Sequence, residues 1–134
     1  MAQNITRGIK TLLAEARAAV TTLPVDTARA LLDSPEHVFI DLRDIRELQR
    51  EGKIPGAVSC PRGMLEFWID PESPYHKEIF SEDKTFVFYC ASAWRSALAA
   101  RTAMEMGLAP VCHLDGGFTA WKSADAPVET LKPR

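Results

Sequence analysis

The order of apolar and amphipathic stretches along the chain constrains its fold more than any other feature. Beyond about residue 36, short apolar runs typical of buried strands alternate with stretches whose apolar residues recur at helical spacing. The run at residues 86–89 is the clearest strand, because it is continuously apolar and rich in aromatic residues. Strands that alternate with helices predict an α/β fold, with a central parallel sheet of about five strands and helices on both faces.

The other elements are predicted in the same way. Further strands are predicted at residues 38–40, 57–59 and 111–114, and helices at residues 44–51, 95–106 and 118–122. Pro24 permits a short helix that ends before residues 33–35. The segment 67–80 contains two prolines and is predicted to be irregular or short-helical.

An amphipathic helix is predicted over residues 1–20, where apolar residues recur at helical spacing between charged ones. We interpret this helix as an addition that packs on the domain. Insertion at a membrane surface is the alternative, but the apolar face is diluted by alanine and the polar face carries both signs of charge. The segment also lacks the apolar core of a signal peptide.

Size and charge exclude several classes of protein. The chain has 134 residues, 46% of them hydrophobic and 25% charged, which suits one globular domain and excludes a disordered or collagen-like chain. With 16 basic and 18 acidic residues, there is no basic surplus for nucleic acid. No apolar run is long enough to span a bilayer, so we expect neither nucleic acid nor a membrane as partner.

The chain has three cysteines, Cys60, Cys90 and Cys112, and they are unequal. Their number and spacing suit neither a disulfide framework nor a zinc site, so reduced thiols in the cytoplasm are the expectation. Cys112 lies within a predicted strand and is interpreted as core, while its neighbour His113 points to the opposite face. Cys60 is followed by a proline, and a structural role is favoured over a resolving thiol.

Cys90 has the surroundings that a reactive thiol needs. It follows the clearest strand directly, and the chain then enters a helix, so backbone N–H groups and the positive end of the helix dipole favour the thiolate. Arg95 adds a fixed positive charge that can fork onto an anion. On this pattern alone two interpretations stay open: a nucleophile with an anion cradle, or a buried cysteine at the end of a core strand.

Four segments, in order, resemble the motifs of the rhodanese family of sulfurtransferases. They are Asp41-Leu42-Arg43, the turn at residues 52–57 (GKIPGA), the loop at residues 90–96 (CASAWRS), and the closing segment at residues 114–121 (LDGGFTAW). The resemblance runs from about residue 20 to residue 128. It implies an N-terminal extension at 1–20, a rhodanese-like domain at 21–130 and a tail at 131–134.

The resemblance implies a thiosulfate sulfurtransferase that works by double displacement through a Cys90 persulfide, without metal or organic cofactor. The implied substrates are a donor such as thiosulfate and an acceptor such as cyanide or a thiol; a carrier module that serves a protein donor or acceptor is the alternative. Cys90 and Arg95 are the implied catalytic residues. The implied substrate-binding loop comprises Ala91, Ser92, Ala93, Trp94 and Ser96.

Loop length separates this chemistry from that of tyrosine phosphatases, which carry five residues between cysteine and arginine. Here four residues lie between Cys90 and Arg95, and a shorter loop closes around something the size of one sulfur atom. A phosphatase or arsenate reductase is therefore the less favoured alternative. Trp94 is expected to be partly exposed, since residues of so tight a loop point outward.

Four further positions carry expectations of their own. Ala93 stands where the family usually has glycine, and an alanine there costs about 1–2 kcal/mol if the backbone must be left-handed. Lys53 replaces a usual histidine, which we expect to cost local hydrogen bonding. Asp41 and Arg43 are predicted as supporting residues, with Arg43 either a second anion contact or, as favoured, half of an ion pair with Asp41 or Glu47.

Overall fold

A five-stranded parallel sheet forms the centre of the computed structural model, which describes residues 2–131. The strands are β1 (Thr21–Leu23), β2 (His37–Asp41), β3 (Val58–Ser59), β4 (Thr85–Tyr89) and β5 (Val111–Leu114). Their spatial order is β1-β5-β4-β2-β3, and every pair of neighbours is parallel. The predicted α/β class and the parallel sheet of about five strands are confirmed.

Helices cover both faces of the sheet, as predicted. They are α1 (Ile9–Ala19), α2 (Val25–Arg29), α3 (Ile45–Glu51), α4 (Leu65–Ile69), α5 (Trp94–Glu105) and α6 (Gly117–Ser123), with 3₁₀ turns at Arg62–Met64 and Glu78–Ser81. Alternate residues of β4 show why two cores form: Phe86 and Phe88 pack with α4 and α5, whereas Val87 and Tyr89 pack with α2 and α6.

The N-terminal helix is shorter than the predicted span of residues 1–20. It begins at Ile9, and residues 2–8 are exposed and not helical. Leu13 and Ala16 are buried and form a small cluster with Ala97 of α5. Since the exposed residues bury no apolar surface, nothing offsets the entropy cost of ordering them as further helical turns.

Strand β1 was not among the predicted elements. Its sequence, Thr-Thr-Leu, has neither the apolar run nor a clear alternation that marks a strand, and it is largely exposed. It forms because it pairs with β5 at the edge of the sheet, with Thr22 opposite His113. Such pairing is a tertiary contact that local sequence does not reveal.

The remaining boundaries lie close to prediction. The helix after Pro24 ends at Arg29, a few residues earlier than predicted, and segment 67–80 contains part of α4 and one 3₁₀ turn. The predicted C-terminal tail falls mostly on residues 132–134, outside the described residues. The domain limits at residues 20 and 130 stay a prediction.

Candidate active site

Cys90 lies where the carboxyl end of β4 meets the start of α5. Its side chain is 1% exposed, and its Sγ accepts a hydrogen bond from the backbone N–H of Ser96 at 3.4 Å. Ser96 is the third residue of α5, so its N–H is one of the amides that have no acceptor within the helix. The sulfur therefore faces the positive end of the helix.

The loop that follows Cys90 has a run of free backbone donors. None of the backbone N–H groups of residues 91–95 has an acceptor within residues 2–131. Successive unpaired N–H groups in a turn form an anion-binding concavity. The loop thus has the donors that a small anion beside the Cys90 sulfur requires.

Ala93 is left-handed, with φ 73° and ψ 8°, at the N-cap of α5. The usual glycine of the family would adopt this conformation without a steric penalty, whereas alanine costs about 1–2 kcal/mol. The side chain is 6% exposed, so the surrounding loop encloses its methyl group. The departure from the family pattern therefore places strain inside the loop.

The N-terminus of α6 is hydrogen-bonded to the cysteine loop. The N–H of Phe118 donates to the Cys90 carbonyl at 2.7 Å, and that of Thr119 to the Ala91 carbonyl at 3.1 Å. Gly117 permits this approach, because a Cβ on it would lie 2.6 Å from both carbonyl oxygens. The closing Gly-Gly motif thus supports the cysteine loop.

Arg95 is fixed by a carboxylate. Its two terminal nitrogens donate to the two carboxylate oxygens of Glu47 at 2.9 Å each. Glu47 also caps α3, accepting from the Asp44 N–H at 2.8 Å. The hydrogen bond from Arg95 is the main reason that the pKa of Glu47 falls to about 2, while Glu47 and then the nearby Cys90 sulfur raise the pKa of Arg95.

Asp41 and Arg43 form a second, sealed pair at the end of β2. Arg43 donates to Asp41 through Nε at 3.0 Å and Nη2 at 2.8 Å, and both side chains are almost fully buried. The Tyr89 hydroxyl donates to the same carboxylate at 2.6 Å and accepts from the Ile54 N–H. The Arg43 guanidinium lies over the Phe118 ring at 4.2 Å. Of the predicted alternatives for Arg43, the ion pair is the observed one, with Asp41 as partner.

The remaining loop residues differ in exposure. Ser92 is exposed, and Trp94 is 50% exposed, as predicted for a residue that points outward. Ser96 is fully buried, and its hydroxyl hydrogen-bonds His113. His113 lies on the face of β5 opposite to Cys112, as the alternation predicts.

The other two cysteines are less suited to reaction. Burial raises the pKa of Cys60 to about 12 and that of Cys112 to about 11. Cys112 packs in the core beneath α6, as predicted. Both thiols are free and buried, as is that of Cys90, so burial alone does not separate the three cysteines.

Lys53 forms a hydrogen bond inside the turn, and the expected cost relative to the usual histidine stays a prediction. Its Nζ donates to the Ala57 carbonyl at 2.9 Å and lies 3.7 Å from the Glu129 carboxylate. The long lysine side chain reaches the turn's own backbone and so ties it together.

A groove of about 330 Å³ adjoins the loop at Ala91, between α3 and α6. Arg50 and Lys122 line it, and both bind the single carboxylate of Glu51, at 3.4 and 3.2 Å. Two cations that share one carboxylate leave a net positive charge beside the cysteine loop.

Sequence reasoning predicts Cys90, Arg95 and their loop as the site, but it does not single out three residues that lie against this loop. Glu47 was considered only as a partner for Arg43, Gly117 only as part of a motif, and His113 not at all for the site. The capping position of Glu47, three residues after Asp44, was a usable signal. No signal in the sequence linked His113 to Ser96.

A family model for the rhodanese-like domain matches residues 24–124 of this chain. The chain belongs to the rhodanese family. A Rhodopseudomonas palustris protein of unknown function, described as a possible tyrosine phosphatase, has a similar structure with a TM-score of 0.93 and 60% sequence identity; the match covers 96% of this chain and 99% of that one.

Two curated relatives are similar in sequence. Thiosulfate sulfurtransferase GlpE of Pseudoalteromonas translucida is 32% identical over 94 residues, 70% of this chain and 81% of that protein. Thiosulfate sulfurtransferase/rhodanese-like domain-containing protein 3 of Mus musculus is 30% identical over 98 residues, 69% of this chain and 62% of that protein. The matched region is thus only part of the mouse protein. Several relatives of this rhodanese-like chain are named sulfurtransferases.

No helix within residues 2–131 has the length and hydropathy needed to cross a membrane. In the same range, no group of three or more His, Cys, Asp or Glu residues is arranged to hold a metal ion.

Proposed function

We propose that the protein is a sulfurtransferase that carries sulfane sulfur as a persulfide on Cys90. The observation that carries this proposal is the set of unpaired backbone N–H groups at residues 91–95 beside a sulfur that already accepts the Ser96 N–H. Fixed donors of this kind stabilise an anion at the position where they converge. A terminal persulfide sulfur, S⁻, is an anion of suitable size for so short a loop.

The reaction proceeds as two displacements. The Cys90 thiolate attacks the sulfane sulfur of thiosulfate; a new S–S bond forms, the S–S bond of thiosulfate breaks, and sulfite leaves with the bonding electron pair. A second nucleophile, cyanide or a thiolate, then attacks the terminal sulfur; the S–S bond of the persulfide breaks, and its electron pair leaves with Cys90 as the thiolate. Total charge is conserved in each step, and no oxidant or metal is required.

The charge around the site supports an anionic donor. The groove beside Ala91 keeps a net positive charge because Arg50 and Lys122 share one carboxylate. Such a charge raises the local concentration of a dianion such as thiosulfate. The names of the relatives, thiosulfate sulfurtransferases among them, agree with this substrate.

The pairing of Arg95 argues against phosphatase chemistry, which the description of the Rhodopseudomonas relative suggests. A phosphoryl group is held best by a guanidinium that forks onto two of its oxygens. Both terminal nitrogens of Arg95 are instead bound to Glu47. The guanidinium therefore serves to fix the loop and to supply charge near the sulfur.

A carrier that exchanges sulfur with other proteins is the alternative form of this proposal. The half-exposed Trp94, which directly begins α5 next to the loop, supports it. An apolar ring at the rim of the site suits contact with a protein acceptor, since exposed aromatic residues are favoured in interfaces.

Intact-protein mass spectrometry after incubation with thiosulfate tests the proposal. We expect the wild-type protein and the control Cys112→Ser to gain the mass of one sulfur atom, which cyanide removes, and Cys90→Ser to gain none. If small donors fail but a persulfide protein transfers sulfur to Cys90, the carrier form is correct. Hydrolysis of a phosphate ester without sulfur uptake from any donor would refute the sulfurtransferase proposal.

A further inference from the structure

A chain of hydrogen bonds, exposed at Thr22 and buried at Ser96, connects the edge strand β1 to the nucleophile. The Thr22 hydroxyl lies 3.0 Å from His113 Nε2, and the Ser96 hydroxyl lies 3.0 Å from His113 Nδ1. Ser96 in turn donates its backbone N–H to the Cys90 sulfur. His113 is 1% exposed, and its hydrogen bond to Ser96 links it to the residue whose N–H faces the Cys90 sulfur.

The chemistry of His113 suits an anchor and not an acid or base. Burial lowers its pKa, and Arg17 adds to this effect while Asp115 opposes it, so the ring is neutral at neutral pH. A neutral imidazole has one N–H donor and one acceptor nitrogen. The hydroxyls of Thr22 and Ser96 satisfy both, which leaves the ring no further hydrogen bond to offer.

Ser96 needs an anchor because the turn before it is strained. Ala93 holds a left-handed backbone three residues earlier, and this strain persists only where the surrounding structure over-determines the conformation. Arg95 is held by Glu47 on the outside of the helix. The bond to His113 is the corresponding tie on the buried side, and it restrains the position of the first turn of α5, whose Ser96 N–H faces the sulfur.

We infer that His113 is a positioning residue for the Cys90 thiolate: it holds the Ser96 hydroxyl and thereby aims the Ser96 N–H at the sulfur. This inference rests on the proposed function insofar as the Cys90 thiolate is the nucleophile. It assigns a role to a β5 side chain that lies outside the cysteine loop itself.

Alkylation of Cys90 by iodoacetamide, followed by mass spectrometry across about pH 5 to 9, tests the inference without any sulfur donor. His113→Asn and His113→Leu are close in size, and the asparagine amide can replace Nδ1. We expect His113→Leu to be alkylated about tenfold more slowly than wild type at neutral pH, with its pH profile moved upward by about one unit. His113→Asn is expected to retain most of the rate.

Cys112→Ala is the matched control, because it perturbs the same strand on the opposite face. It should leave the alkylation of Cys90 unchanged. The raised pKa values of Cys60 and Cys112 keep both thiols from contributing in this pH range.

Thermal melting must show that each variant is folded. If His113→Leu does not fold, Ser96→Ala removes the same hydrogen bond and keeps the N–H, and it should show the same shift. The inference would be overturned if folded wild type, His113→Leu and Ser96→Ala were alkylated at equal rates. It would also be overturned if His113→Leu and His113→Asn were slowed equally. Alkylation needs no sulfur donor. Failure of persulfide formation would therefore refute the proposed function without deciding the outcome of the alkylation test.

Discussion

Two arginine–carboxylate pairs lie near the carboxyl end of the sheet, and they differ in burial. In the Asp41–Arg43 pair the side chains are 0% and 1% exposed, and the Tyr89 hydroxyl and the Gly52 carbonyl are further hydrogen-bond partners. In the Glu47–Arg95 pair the side chains are 22% and 40% exposed. Both have two-point geometry, so solvent access and position decide what each contributes.

The comparison shows that an arginine–carboxylate pair serves two purposes in this fold. The sealed pair joins β2 to the turn that contains Ile54 and cannot be broken without leaving a charge in the core. The open pair is screened by water and contributes little to stability, but it lies beside Cys90. We therefore expect mutations of the first to affect folding and mutations of the second to affect chemistry.

The largest effect is expected from Arg43→Met. This change leaves the Asp41 carboxylate buried without its cation, which typically costs about 3–5 kcal/mol. Urea unfolding should show the loss directly. Arg46→Met, on the exposed pair with Asp44, is the control and should change the unfolding free energy by less than about 1 kcal/mol. If Arg43→Met lowered the free energy of unfolding only slightly, the two pairs would not differ in their contribution to stability.

Arg95→Gln should affect sulfur transfer more than stability. We expect a stability loss of no more than about 1 kcal/mol, together with a fall in sulfur transfer from thiosulfate of about 10- to 100-fold, because a fixed charge next to the reacting sulfur is lost. Transfer is measured as thiocyanate formed from cyanide. Transfer at the wild-type rate would show that the open pair has no part in the chemistry.

Ala93→Gly tests the strain that the open pair helps to hold. Removing the left-handed alanine should stabilise the protein by about 1 kcal/mol, offset in part by the greater freedom of glycine in the unfolded chain. Ala91→Gly is the matched control, since residue 91 lies in the same loop without a positive φ, and it should not stabilise. If both variants lose stability in thermal or urea unfolding, Ala93 is not strained.

The smallest effect is expected from pH. The folded-state pKa of Glu47 is about 2, below its ordinary value of 4.5. Its contribution to stability is therefore complete above about pH 4.5 and is lost as pH falls toward 2. The difference in unfolding free energy between wild type and Glu47→Gln should shrink over this window, by less than about 1 kcal/mol because the pair is half exposed. If the difference in unfolding free energy between the two proteins did not vary with pH, the lowered pKa of Glu47 would be contradicted.

The fold and the cysteine loop were largely predictable, because both rest on local patterns. The apolar strand at 86–89, the helix after it and the order of the motifs lie within short stretches of sequence. The exceptions have tertiary causes: β1 forms through pairing with β5, and α1 begins late because residues 2–8 bury no apolar surface. The partners of Arg43 and Arg95 depended on which carboxylate the fold brings near.

The sequence by itself determined the class of fold and the family, and it predicts Cys90 as the nucleophile, since periodicity and motif order survive without coordinates. Only the tertiary structure decided that Ala93 is left-handed, that Glu47 holds Arg95, and that His113 reaches Ser96 from another strand. The last two are contacts between groups far apart in the chain, and the backbone of Ala93 depends on how the surrounding structure holds its loop. Packing and hydrogen bonding across the sheet fix this geometry, which no local pattern encodes.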